Sequence, residues 1–158
     1  MIIVGYPGIG KSTLAHIVYE VIDLDVYEVI DLESSLFRNL PGNWYELYVS
    51  LAEHLSEQGK TVFVSSHGDV VNELIGSNEK VFLVYPSLDI EEDWIHKIGE
   101  RLLKGPSMKN FRAYKRVVDM FEDDIKWLRG IDLPKAEIDD MNYKLVDIVK
   151  DLEKRMRS

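Results

Sequence analysis

Residues 1–13 read MIIVGYPGIGKST, and this stretch decides the fold. From Gly5 to Ser12 the pattern is G-x-x-x-x-G-K-S, that of a glycine-rich phosphate-binding loop. Its flanks are those the loop needs. Ile2, Ile3 and Val4 form a short apolar run, as a buried parallel strand would. Leu14, Ala15, Val18 and Tyr19 then recur on one face of a helix, expected from Lys11 to Val21. Gly5, Gly8 and Gly10 let the backbone turn tightly and approach an anion. The amides of Gly8–Thr13, together with the positive end of the helix, then point at phosphate oxygens. Pro7 has no N–H, so with Tyr6 it stiffens the turn, while Ile9 contributes backbone. Lys11 reaches the outer phosphates of a triphosphate, and the Ser12 hydroxyl stands where Mg²⁺ would sit.

Outward from this loop, apolar runs alternate with helical patterns. Val26–Ile30 reads as strand 2, ending at Asp31, and Thr61–Val64 as strand 3, ending in Ser65-Ser66-His67-Gly68. Val81–Tyr85 reads as strand 4 and Ala136–Ile138 as strand 5. Helices are expected over Trp44–Gln58, stopped by Gly59, and over Asp69–Ile75, Asp89–Lys104 and Ser107–Arg129. A last helix, capped by Asp140 or Asn142, runs to about Arg155. Helical crossovers make the sheet parallel, so the chain is α/β and ligands gather at the carboxyl ends of its strands. Trp44, Tyr45, Tyr48, Trp94 and Trp127 are expected in the core.

The 158 residues are enough for one domain with a sizeable core, and 46% hydrophobic residues exclude a disordered chain. There is no cysteine, which removes disulfides, thiolate metal sites and a thiol nucleophile. No apolar run approaches a membrane span, and with an apolar strand at Met1 a signal segment has no room. The expectation is a soluble, cytoplasmic protein. Its net charge of −9 repels nucleic acid in general. Yet Lys97–Arg116 holds seven Lys and Arg against Glu100 alone, an island that fits phosphate contact. On a helix Glu100 and Lys104 would also pair at i, i+4.

With these elements in this order, the chain resembles the small P-loop kinases: nucleoside monophosphate kinases, shikimate and gluconate kinases, and the kinase module of polynucleotide kinases. In size and in its immediate loop it is also similar to kinases of bacteriophages. Element order carries the resemblance over most of the chain; only Gly5–Ser12 carries it by residue. It implies a three-layer P-loop NTPase fold, with a five-stranded parallel sheet in the order 2-3-1-4-5 and helices on both faces. It also implies a helical lid, here residues 87–130 of a single domain 1–158. The implied activity is transfer of the γ-phosphate of ATP, with Mg²⁺, to a small acceptor, foremost a nucleoside or nucleotide.

By resemblance, Lys11 and Ser12 hold phosphate and metal, and Asp31 orients or deprotonates the acceptor hydroxyl. Glu33 is the second acid and Arg38 meets the acceptor's own charge. Arg101, with Lys104, Lys109 and Arg112, supplies the lid cations. Ser65, Ser66 and His67 occupy a turn that gluconate- and shikimate-like members use for substrate. One departure is plain: strand 3 lacks the terminal Asp that usually supports magnesium, so this falls to Asp31 or to a serine through water.

An acceptor on a nucleic-acid end or a modified base is an alternative, which the basic island allows and the acidic total opposes. A nucleotide-driven switch or ATPase is another. Against it stands the absence of N-K-x-D (the nearest string is Asn78-Glu79-Lys80-Val81) and of D-x-x-G.

Overall fold

Strand β1, Ile2–Gly5, is the centre of a sheet whose five strands all run parallel. The computed structural model describes residues 1–11, 14 and 28–157. The expected first helix, the start of strand 2, Ser12 and Thr13 lie outside these residues. After β1 come β2 (Val29–Asp31), α1 (Trp44–Glu57), β3 (Thr61–Ser65), α2 (Gly68–Ile75) and β4 (Val81–Pro86). They are followed by α3 (Glu91–Lys104), α4 (Met108–Arg129), β5 (Lys135–Ile138) and α5 (Leu145–Arg157). The strand order is β2-β3-β1-β4-β5, as expected.

The apolar runs explain that order. Successive side chains of a strand point to opposite faces, so a strand buried at every position is covered on both. Ile2, Ile3 and Val4 are 0–1% exposed, and Val62, Phe63, Val64, Leu83 and Val84 are as deeply buried. These are the three inner strands. β2, at one edge, is buried only at Val29. In register, Gly5 lies beside Ser65 and Val84, and Asp31 beside Phe63. All strands being parallel, Gly5, Asp31, Ser65 and Pro86 end at one rim of the sheet.

Two helices carry the wall above that rim. α3 buries Trp94 and Ile98, and α4 buries Val117, Phe121, Ile125 and Leu128, both at helical spacing. Ser107 caps α4 by accepting from the Asn110 amide at 3.1 Å, as its sequence position predicts.

Three local expectations are corrected. α5 starts at Leu145, because the Asp140 carboxylate accepts from the Asn142 amide at 2.8 Å within a turn instead of capping a helix there. Glu100 lies 3.9 Å from His96, not against Lys104. Trp127 is 39% exposed, outside the core formed by Trp94 and Tyr48.

Gly8 joins the loop to this wall. It has φ +95°, and a Cβ there would collide with Ile98 Cδ1. The left-handed backbone alone costs an alanine about 1–2 kcal/mol. Gly8→Ala should therefore lower the melting temperature by at least about 4 °C, read by thermal denaturation. An unchanged melting point would mean that α3 does not press on the loop.

Candidate active site

A cavity of about 820 Å³ opens at the carboxyl ends of β1, β2 and β3, walled on the far side by α3 and α4. Pro7, Gly8, Gly10 and Lys11 line it from the loop, and Asp31, Glu33 and Arg38 from the segment after β2. Ser65, Ser66 and His67 line it after β3, and Arg101, Lys109 and Arg112 from the helices. The sequence separates these groups by up to about a hundred positions; the parallel sheet brings them to one rim.

The loop is shaped to donate. Gly8 and Gly10 both have positive φ, at 95° and 100°. The Tyr6 amide donates to Val84 O and the Ile9 amide to Tyr6 O. The Gly8 and Gly10 amides have no backbone acceptor among the described residues. The loop carbonyls, in contrast, are occupied. Trp94 Nε1 donates to Pro7 O at 2.9 Å, and the Tyr143 hydroxyl donates to Ile9 O at 2.8 Å. The Lys97 ammonium donates to that same hydroxyl at 2.7 Å and lies over the Trp94 and Tyr143 rings, 4.5 and 4.8 Å from their centroids. With its carbonyls tied outward, the loop leaves amides for an anion. The Leu14 amide donates to Gly10 O at 3.1 Å, a helical i to i−4 bond directly behind the loop.

Lys11 is the partly buried cation of the loop. Its ammonium lies 3.5 Å from Gly5 O. Burial pushes its pKa below the ordinary lysine value, while Asp31 and Glu33 pull it back and Lys109 and Arg101 push it further down. Some of the residue's surface remains open to the cavity, so an anionic ligand can reach it. Such a ligand would restore the charge balance.

Across the cavity, Tyr48 fixes the acidic rim. Its fully buried hydroxyl donates to Leu32 O at 2.6 Å and accepts from the Ser65 amide at 3.0 Å, tying the end of β2 to the end of β3. Asp31 is half-buried and forms no ion pair with a described residue. Glu33 is engaged. Its carboxylate meets Lys109 Nζ at 2.5 Å and accepts from the Ser35 amide at 3.4 Å. Burial alone would raise the Glu33 pKa, but these two partners hold it below the usual carboxylate range. Arg38 lies over the Trp44 ring, 5.7 Å from its centroid.

His67 has a structural duty as well as a place in the cavity. Its Nδ1 accepts from the Asp69 amide at 3.3 Å and caps α2, which makes Nε2 the protonated nitrogen of the neutral ring. Trp44 meets it edge to face at 5.3 Å. Burial lowers its pKa, as do Arg38 and Arg116.

The cations expected on the lid divide. Arg101 and Arg112 face the cavity with no carboxylate partner among the described residues. Lys109 is spoken for by Glu33. Lys104 is exposed and does not line the cavity. Gly5 closes β1, and the Ile9 side chain is buried; neither lines the cavity. No group of three or more His, Asp and Glu among the described residues is arranged to hold a metal by itself. Among these residues no helix is long and apolar enough to cross a membrane.

Some lining residues were not foreseen as such: Tyr6, Asp124, Trp127 and Leu128. A usable signal existed, since 109, 112, 113, 116, 124, 127 and 128 form one helical stripe. Compared with known proteins, the chain matches no family model and no curated protein.

His67 gives a pH test. A histidine whose folded pKa lies below 6.5 binds fewer protons folded than unfolded. Its contribution to stability is complete above pH 6.5 and is lost as pH falls through the folded value. The amino terminus, also lowered by burial, adds a slope of the same sign. His67→Asn keeps a capping acceptor and removes the titration. Between pH 7 and 5.5 the wild-type melting temperature should fall more steeply than that of the variant; parallel curves would remove His67 as a source.

Proposed function

We propose that the protein is an ATP-dependent kinase of P-loop NTPase fold that transfers the γ-phosphate to a hydroxyl or phosphate of a small acceptor, a nucleoside or nucleotide foremost. One observation carries the reading: the loop with Lys11, the carboxylate Asp31, and Arg101 and Arg112, these last three without an ion pair among the described residues, all line one cavity. The sheet order β2-β3-β1-β4-β5, with the loop after the central strand, supports the fold assignment.

Phosphoryl transfer asks the protein for alignment and for cations near the spreading charge. The loop amides and Lys11 hold the triphosphate tail. The acceptor oxygen bonds to the γ-phosphorus as the bond to the β,γ-bridging oxygen breaks, and the electron pair leaves with ADP. Asp31 aligns the acceptor hydroxyl and takes its proton. Arg101 and Arg112 neutralise the equatorial oxygens and help exclude water. Magnesium fits the oxygen donors here: Asp31 would hold it with Ser12 and phosphate oxygens, and it would neutralise the β- and γ-phosphates. Few protein ligands suffice for this ion, so a rim without a three-residue cluster remains suitable.

Lys11→Ala should abolish acceptor-dependent ADP release, and unchanged turnover would reject the reading. Asp31→Asn should lower kcat by about 10²-fold or more and ATP affinity far less; an equal loss in ATP binding would assign Asp31 to metal support alone. Arg101→Ala should slow transfer with an unchanged melting temperature, and a full-rate variant would shift that role to Arg112.

A further inference from the structure

The cavity changes character along α4. At the start of the stripe, Lys109, Arg112 and Arg116 are cationic; at its end stand Trp127 and Leu128. Trp127 keeps 39% of its surface exposed, so an indole stands open at the cavity wall instead of filling the core. Beside it lie two polar groups. The Tyr6 hydroxyl is buried and has no hydrogen-bond partner among the described residues, although Tyr6 is only 1% exposed and lines the cavity. Asp124 is 9% exposed, its carboxylate held by Arg116 through Nε at 2.9 Å and Nη2 at 2.5 Å. Burial, and then Asp124, raise the pKa of Tyr6, so its hydroxyl stays a donor at neutral pH.

An open aromatic face flanked by an orphaned hydroxyl and a fixed carboxylate suits a flat ring that carries both donors and acceptors on its edge. Phosphate does not fit this end, because Asp124 repels it and already occupies Arg116. We propose that this end of the cavity is a nucleobase subsite, with the ring stacked on Trp127 and its edge toward Asp124 and Tyr6. The proposal deepens the kinase reading and rests on it: it makes the ligand a nucleoside or nucleotide, not a sugar or a small hydroxy acid. The base belongs either to the phosphate donor or to the acceptor. Arg116 and His67 line the same cavity from α4 and from the end of β3.

Equilibrium dialysis with adenosine, guanosine, cytidine and thymidine, and with inorganic triphosphate as the phosphate-only probe, tests it. At least one nucleoside should bind the wild-type protein, and Trp127→Leu should weaken that binding roughly tenfold, as loss of base stacking does. Triphosphate binding should not change. Tyr6→Phe, which keeps the ring packed on Phe121, should also weaken nucleoside binding with an unchanged melting temperature. A non-hydrolysable ATP analogue at saturation identifies the source. If it displaces the nucleoside, the ring is the donor's; if both bind together, it is the acceptor's. No nucleoside bound to the wild-type protein, or unchanged affinity in a folded Trp127→Leu, overturns the proposal. Should Trp127→Leu fail to fold, unchanged affinity in Tyr6→Phe overturns it instead. Lys11→Ala should retain nucleoside binding, so failure of the kinase reading and failure of this subsite read out separately.

Discussion

A backbone loop can offer its amides to an anion only if its carbonyls are satisfied elsewhere. Here the partners come from far along the chain. Trp94 reaches Pro7 O from α3, and Tyr143 reaches Ile9 O from the segment between β5 and α5. Lys97 locks the two rings together. Removing either donor would leave a carbonyl short of a partner next to the sheet, at a cost of about 1–3 kcal/mol. The loop glycines permit the turn, but these two donors hold its direction. α3 therefore does more than roof the sheet: it sets which way residues 7–10 face.

The second constraint is charge. The chain carries −9 overall, yet its cavity gathers Lys11, Arg38, Arg101, Lys109, Arg112 and Arg116 against Asp31, Glu33 and Asp124. Cations collected in a cleft with low-dielectric walls keep their effect, whereas the acidic remainder is spread over solvent and screened within about 8–10 Å. Two of the six are matched internally, Lys109 by Glu33 and Arg116 by Asp124. Arg38, Arg101, Arg112 and Lys11 are left facing the cavity without an ion pair among the described residues. The distribution favours a polyanion at the loop and a neutral group at the far end of α4.

How much of this was legible in the sequence follows from the range of each interaction. The strands and the helices are local patterns, and within the described residues their bounds lie close to those expected, the start of α5 apart. Parallel pairing follows from helical crossovers, and the strand order came with the resemblance to small P-loop kinases. Asp31, Ser65 and His67 were legible as ends of strands. Partners were not. Trp94, buried and at helical spacing, looks like any core tryptophan, and nothing local ties it to Pro7 eighty-seven positions away. Glu33 read as a free acid because its partner is seventy-six positions on. Trp127 misled for the opposite reason. An aromatic next to the buried Leu128 reads as core, whereas the face of α4 that reaches the core runs through Val117, Phe121, Ile125 and Leu128.

That burial also divides the region expected as a lid. From Val117 onward α4 is anchored by core residues, and Tyr6 meets Phe121 edge to face at 5.9 Å. Before Val117 it has no buried residue, and in α3 none follows Ile98. The two helix ends between about 99 and 116 are held to the rim by Lys109–Glu33, a pair whose side chains are 56% and 33% exposed. Exposed pairs contribute only about 0–1 kcal/mol, because water and salt compete for both charges. A phosphate brought near Lys109 can therefore replace Glu33 at little cost, and Glu33 is then released toward the cavity it already lines. The anchored half of α4 cannot follow without uncovering Phe121 and Ile125, each worth about 1.5–3 kcal/mol of burial. The burial anchors the Trp127 end of α4 and leaves the tip that carries Arg101 and Arg112 without buried residues.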